Sequence, residues 1–375
     1  MKKVFLSLVA VLLCGVSVFA QFGGGEGTQT NPYLISTPAH FKAIDDLEST
    51  SNTYFKLTNN LNLGTYNATS NDFVIDKTFS GTFDGDDKTI TYQGSFTTTD
   101  DNQKIGLFRT NSGTIKNLNL DANITVNGNN KYTKIGLLCG SNTITGTIEF
   151  CDVTGNVNST ATSGGSGNAS TGLIIGRNMN ILRYSTGHGN VTGVGYVGGL
   201  VGDMGSILET CDRNAQPIIR GCYFTGNVTA NNSNSLDIEV FGTSLGSIIP
   251  VQSFGGGLCG VMLDPAKIEL CVAEAIVVVG QNARGISNTI SFFSILKKGD
   301  ANNNYCTGTV NGTLINDQNI FNGNGGNNLN SIDPNALEGI ATFLNGERSE
   351  EEEDIFYFAV INGKVVLVVG QEPSD

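Results

Sequence analysis

A chain of 375 residues with 39% hydrophobic and only 15% charged positions carries enough apolar material for a sizeable core, which excludes wholesale disorder. Its 34 Asp plus Glu against 21 Lys plus Arg give a formal charge of -13, which excludes an electrostatic grip on nucleic acid or anionic lipid. What remains is a Gly-, Asn- and Thr-rich chain whose architecture is more legible than its activity.

The first element is not part of the fold. Lys2 and Lys3 precede an apolar run from Val4 to Val18, and small residues close it at Ala20. A basic start, a short apolar stretch and a small-residue end predict a secretory signal over residues 1–20, too short and wrongly flanked for a retained membrane span. The expected location is therefore secreted or on the outer cell surface, with no integral membrane segment after cleavage. Lipid attachment at Cys14 is disfavoured by the bulky Leu13 before it and the apolar residues after it. Cleavage leaves 19 basic against 34 acidic residues, or -15, and seven of the eight cysteines.

Next, Thr37-Pro38 followed by Phe41, Ile44 and Leu47 predicts a short helix with a Thr N-cap and Pro at its first position, suited to covering one end of a stack. Asp84-Gly85-Asp86-Asp87 offers oxygen ligands for calcium, yet it lacks the longer ligand array and final Glu of an EF-hand. A tight turn between Phe83 and Ile90 is the preferred reading.

From residue 106 a phrase repeats: Gly106-Leu-Phe-Arg109, Gly136-Leu-Leu-Cys-Gly140, Gly172-Leu-Ile-Ile-Gly176, Gly199-Leu-Val-Gly202 and Gly257-Leu-Cys-Gly260, with a further copy near Gly285-Ile286. Its leucines are spaced by 30, 36, 27 and 58 residues, the last fitting two coils or one coil with an insertion. A second phrase alternates with it, beginning at Ile115, Ile148, Ile181, Ile219 and Ile268 and ending in Gly155, Gly187, Gly226 or Ala275. Short stretches of period-two polarity, rich in β-branched residues and poor in helix formers, predict strands that bury one face only when units stack. The expected fold is all-β, a right-handed parallel β-helix, with Leu107, Leu137, Leu173, Leu200 and Leu258 in one inward ladder. Arg177 and Asp203, each following a closing glycine, are expected to pair across adjacent coils on the outer wall, as a surface ion pair of little energetic weight.

Cys139 and Cys259 occupy one repeat position, while Cys151, Cys222, Cys271 and Cys306 each open a short segment. Such recurrence predicts buried thiols stacked as small hydrophobes. Cys211 and Cys222 are the one pair considered for a local bridge. An excursion from about Ala230 to Gly255 breaks the period and carries enough apolar residues to serve as a partner surface or as an irregular coil. Residues 322–331 resemble a linker, and Asp333-Pro334 with Leu337, Ile340, Phe343 and Leu344 predicts a second helix capped like the first. The acidic run Glu350 to Glu353 with Asp354 is expected to be a solvated loop. Asn362-Gly363 between two apolar runs is a strong hairpin signal. The organisation is thus residues 21–321 as the β-helix with its N-terminal cap and 322–375 as a C-terminal cap.

These phrases resemble the GLUG-motif family of bacterial secreted and surface repeat proteins, carried here by Gly199-Leu200-Val201-Gly202, Gly257-Leu258-Cys259-Gly260 and the expanded Gly172 to Gly176. Gly27 to Ser36 and Phe79 to Ile90 resemble the lead-in found before such repeats in anaerobic gut bacteria. The resemblance covers roughly residues 25–310. It implies an adhesin-like β-helical module, sometimes carried beside protease domains, with no catalytic residues of its own.

No residue earns a catalytic, cofactor or metal role from the sequence. A polysaccharide lyase or glycoside hydrolase is the rival reading. Asp152, Asp203, Asp212, Arg177, Arg183, Arg213 and Arg220 could supply its acids and cations, although nothing in the sequence brings them together. His40 and His188 lack a nearby nucleophile phrase and are expected to face solvent or cap a turn. Gly193-Val-Gly195 lacks the surroundings of a nucleotide site. Tyr132, Tyr184, Tyr196 and Tyr223 lie near repeat corners, where they would line a carbohydrate surface or pack an edge. The expected function is an adhesin-like binding or structural module whose partner is a glycan or an extracellular protein.

Overall fold

The computed structural model describes residues 21–370 except 67–73, 99–101, 129–131, 161–168, 206–215, 232–235, 241–242, 250–252, 263–264, 280–281, 285–286, 290–299, 316–327 and 330–335. The signal at 1–20, the Gly285-Ile286 copy, Asp333-Pro334 and Cys211 with its bridge all lie outside the described residues.

Parallel strands stack coil upon coil into sheets of 16, 7 and 6 strands, the architecture of a parallel β-helix. A representative coil runs Ile181–Arg183, a sharp corner at Tyr184, Thr186–Val194, Tyr196–Gly198, a tight turn and Val201–Met204. The long strands Thr82–Thr97 and Thr114–Asn127 pass through the corner unbroken and join the two flanking walls into the largest sheet.

Leu107, Leu137, Leu173, Leu200 and Leu258 are all 0% exposed within one core. Their backbones bond from coil to coil, with the Leu107 N–H donating to the Leu137 carbonyl at 3.0 Å and Leu137 to Leu173 at 2.8 Å. The glycines around them are there for space. A Cβ on the closing Gly140, Gly176, Gly202 or Gly260 would sit 2.7, 2.3, 2.5 or 2.5 Å from a backbone nitrogen of the preceding coil. The repeated phrase therefore marks where two sheets touch at backbone distance. The 58-residue step resolves as one coil with an insertion, because Val201 pairs directly with Cys259. The excursion contains an antiparallel pair, Leu236–Val240 with Thr243–Ile249.

Each corner carries a residue in the left-handed region, at Asn117, Phe150, Tyr184, Gly221, Leu270 and Asn303. Immediately after it, Cys151, Cys222 and Cys271 are buried free thiols, and each Sγ lies 3.2 to 3.4 Å from a carbonyl oxygen two residues back. Ser185 fills the same place in the intervening coil, with its hydroxyl donating to the Arg183 carbonyl at 2.8 Å. Two sequence alignments need correction. The third copy of the second phrase is offset: Leu182, not Ile181, stacks on Ile148 and Ile219, and Gly189, not Gly187, stacks on Gly155 and Gly226. Cys306 stacks on Ala273, away from the corner thiols.

A polar core column was not anticipated. Asn111, Asn142 and Asn178 are each 0% exposed, and their side-chain amides form a chain, Asn111 Nδ2 donating to Asn142 Oδ1 and Asn142 Nδ2 to Asn178 Oδ1, both at 2.8 Å. The remaining amide hydrogens bond to turn carbonyls such as those of Gly113 and Gly146, so the buried polar atoms are paired.

At the N-terminal end, helix α1 (Pro38–Asp46) is capped by Thr37, whose side chain accepts from the His40 N–H. It buries Phe41 against Phe83 and Phe108 with ring centroids 5.7 and 5.9 Å apart. Helix α2 (Leu337–Gly346) begins at Ala336, which supplies no side-chain cap, unlike the Thr37 device. The hairpin Phe356–Ile361 with Lys364–Val369 turns at Asn362 and Gly363, both at positive φ. Together α2 and the hairpin pack sideways on the coils, over Tyr184, Tyr223, Leu270, Val272 and Tyr305.

Two substitutions test this packing. Leu173→Ala should lower unfolding free energy by about 2–5 kcal/mol in a denaturant titration. Gly189→Ala places a Cβ 1.7 Å from the Gly155 carbonyl oxygen at φ +151, and should cost at least ~1–3 kcal/mol from backbone strain alone. A neutral Gly189→Ala would contradict the stacking.

Candidate functional site

One regularly ordered surface is the outer face of the wall formed by the strands Thr82–Thr97, Thr114–Asn127, Asp152–Ser159, Thr186–Val194 and Tyr223–Asn231. Inward positions are mostly aliphatic, aromatic or Gly, among them Phe83, Tyr92 and Phe224, and outward positions fall into register columns. Gln93, Asn123, Asn156, Asn190 and Asn227 form one, and Ser95, Thr125, Asn158, Thr192 and Thr229 the next. Side chains in these columns are exposed or half-exposed and none is charged. Adjacent coils lie about 4.8 Å apart and alternate residues along a strand about 6.6 Å apart, so the two columns form a regular polar grid.

Within the first column the amides are joined. Asn156 Nδ2 donates to Asn123 Oδ1 at 2.6 Å, Asn190 to Asn156 at 2.7 Å and Asn227 to Asn190 at 2.6 Å. The chain is directional, each coil donating to the one before it. An amide has two donor hydrogens and two acceptor lone pairs, so every rung retains bonding capacity toward solvent. In the next coil the same columns turn aliphatic, with Ile276 and Val278 at 49% and 48% exposure. Sequence reading missed this face, because the asparagines stand 33, 34 and 37 residues apart and align only once the coil register is fixed.

Among the described residues, those considered for catalysis do not converge on one site. Arg177 and Asp203 do pair across adjacent coils, Nε lying 2.9 Å from Oδ2 and 3.2 Å from Oδ1. They are not a surface pair, however, since their side chains are only 6% and 3% exposed. Asp152 sits at the edge of the polar wall, accepting from the Thr186 hydroxyl at 2.8 Å and lying 3.6 Å from His188 Nε2. Arg183 is engaged by Glu149 at 2.6 Å on the other side of the corner. Asp212 and Arg213 lie outside the described residues.

Arg220 instead belongs to a seam. Its Nε and Nη2 bond the two carboxylate oxygens of Glu352 at 2.6 Å each, and its Nη1 bonds Glu269 at 2.9 Å. Glu352 also accepts from the Tyr184 hydroxyl at 2.9 Å and from the Ser349 N–H at 3.0 Å. Burial raises the Glu352 pKa, but Arg220, the Ser349 amide and Tyr184 outweigh it and hold the carboxyl down at about 2. Burial and the Glu352 carboxylate push the Tyr184 hydroxyl up to about 12. The acidic run expected to be a solvated loop thus contributes a carboxylate that is only 4% exposed. Its partners lie far away in sequence, and nothing local announces the contact.

Tyr184 and Tyr223, each 6% exposed, are covered by the C-terminal unit rather than presented to a ligand. Tyr196 packs edge-on to Phe254 and Tyr132 lies beneath the Lys134 ammonium. Asp84 to Asp87 form a bulge at the corner inside strand Thr82–Thr97 rather than a turn between two strands, with Asp86 and Asp87 at positive φ and Asp84 accepting from the Asp86 N–H. Lys56 and Lys88 approach Asp86 at 2.8 and 3.4 Å, and Lys116 approaches Asp84 at 3.5 Å, so ammonium groups neutralise these carboxylates. His40 Nδ1 lies 3.2 Å from the Ser36 hydroxyl and His188 is half-exposed on the wall. Among the described residues no three His, Cys, Asp or Glu side chains are grouped to hold a metal, and no helix is long and apolar enough to cross a membrane.

No family model and no curated protein matches the chain. A solved structure does: a Bacteroides ovatus protein described as a candidate immunoglobulin A1 protease aligns with a TM-score of 0.57 at 18% identity, covering 92% of this chain and 95% of its own. At that identity the likeness establishes a shared fold alone.

Two measurements test the charge assignments. Asp203→Ala removes the carboxylate that the buried Arg177 guanidinium bonds and should destabilise the chain by about 3–5 kcal/mol, most of it recovered when Arg177→Met is added. For Glu352 the folded pKa of about 2 lies below the ordinary 4.5, so its contribution is complete above pH 4.5 and is lost as pH falls toward 2. Hydrogen exchange across residues 356–369 should show protection falling over that window. Glu352→Gln should lower protection at neutral pH and flatten the fall.

Proposed function

We propose that the chain is an extracellular or surface-displayed repeat module that binds or presents, in the manner of an adhesin, after loss of a signal at residues 1–20. The observation that carries this reading is the polar wall, whose Asn156 and Asn158 columns are uncharged and offer contact area over successive coils, with Asp121, Asp152 and His188 confined to the outward positions beside them. The Gly-Leu-hydrophobic-Gly phrase supports it through the resemblance to GLUG-motif surface proteins. The fold shared with the Bacteroides ovatus protein is compatible, and what that protein's name says of immunoglobulin A1 remains a statement about that protein.

The rival reading, a polysaccharide lyase or glycoside hydrolase, needs carboxylates facing each other across a groove or a base beside a cation. Asp203 is spent on a buried partner and Asp152 stands on a different wall, beside His188. Retention and turnover separate the two classes. The purified chain is passed over immobilised glycans and extracellular-matrix proteins, and the same materials are assayed for released products. Retention without product release is expected; product release without retention would establish an enzyme and remove the binding reading.

A further inference from the structure

Taking that binding reading as its premise, we infer that the Asn and Thr wall is a docking face for an uncharged polysaccharide chain lying along the coil axis. The argument begins with charge. In a protein of formal charge -13, the columns through Asn156 and Asn158 hold no ionised side chain. A uronate polymer or nucleic acid would find no cation there and would be repelled by the molecule as a whole. A protein strand is also a poor fit. Strand addition requires a free sheet edge, whereas the strands of this wall are paired on both sides within the large sheet. An apolar protein surface would strip the amides of water and return no hydrogen bonds.

A neutral polysaccharide meets each of these conditions. Its hydroxyls both donate and accept, which matches the side-chain amides and hydroxyls of the grid. Its repeating units suit a surface that offers the same groups coil after coil. The Asn chain holds each amide by its neighbour, so the rungs are fixed before a ligand arrives and little side-chain entropy is lost on binding. Beyond Asn227 and Thr229 the columns continue into Ile276 and Val278, exposed aliphatic side chains at the same face positions. Sugar rings carry C–H faces as well as hydroxyl edges, and this end of the track gives such a face somewhere to rest.

Affinity electrophoresis of the purified chain tests the assignment, with galactomannan, arabinoxylan and mixed-linkage glucan as neutral polymers and alginate and polygalacturonate as charged ones. Retardation by at least one neutral polymer is expected, unchanged between low and high salt because no ion pair is involved. Asn190→Ala and Thr192→Lys, tested separately, should each weaken retardation by about tenfold while circular dichroism and the melting temperature show the fold intact. Gln21→Ala, away from the wall, should retain the parent affinity. Retardation by charged polymers alone, or wall variants that bind neutral polymers as the parent does, would overturn the wall assignment and leave a binding module with its site elsewhere. Failure to bind any of these polymers, with retention on matrix protein in the preceding experiment, would overturn the polysaccharide and keep the module; failure in both would remove the module as well.

Discussion

The structure depends on one constraint: neighbouring sheets approach at a distance only glycine allows, and they do so at the same point in each coil. Gly140, Gly176, Gly202 and Gly260 face backbone nitrogens of the preceding coil with no room for a Cβ. Once those points are fixed, registry elsewhere follows. The leucines must fall in line, the corner residues must take the left-handed region at equivalent places, and outward side chains must repeat across the wall. Coils of unequal length are then reconciled at turns and excursions, not within the walls.

The C-terminal unit changes what the two flanks of the coil can do. It covers Tyr223, Val272 and Tyr305 and is tied down by Arg220 with Glu352 and by Lys364 with Glu274 at 2.7 Å. That flank is occupied and carries the Arg220 pairs with Glu269 and Glu352. Beside it, the amide wall remains uncovered by any described residue. Burying Glu352 is tolerable because a forked guanidinium, a hydroxyl and a backbone N–H meet its oxygens, converting a desolvation cost into an orienting contact.

Much of this was legible in the sequence, for identifiable reasons. The leucine ladder, helix α1 and the hairpin announce themselves through local periodicity, a Thr-Pro cap and Asn-Gly. The third copy of the second phrase misleads because Ile181 and Leu182 are both aliphatic and Gly187 and Gly189 flank one histidine, so a shifted alignment scores almost as well. Pairing of Arg177 with Asp203 follows from repeat position, but burial depends on what lies over the wall, which repeat position does not encode. The Glu352 contact joins residues 168 apart in sequence and has no periodic signature. Both asparagine columns are invisible for a related reason, since Asn is abundant and its significance lies wholly in three-dimensional alignment.

The insertion between Val201 and Cys259 has a further consequence. Residues 58 apart at Leu200 and Leu258 occupy successive rungs, so a long segment leaves and rejoins the solenoid without disturbing its lattice. Closing a longer loop costs free energy that grows only with the logarithm of its length. Turns of this kind are where such a scaffold can acquire new sequence during divergence, trading one appendage for another while its interior stays untouched.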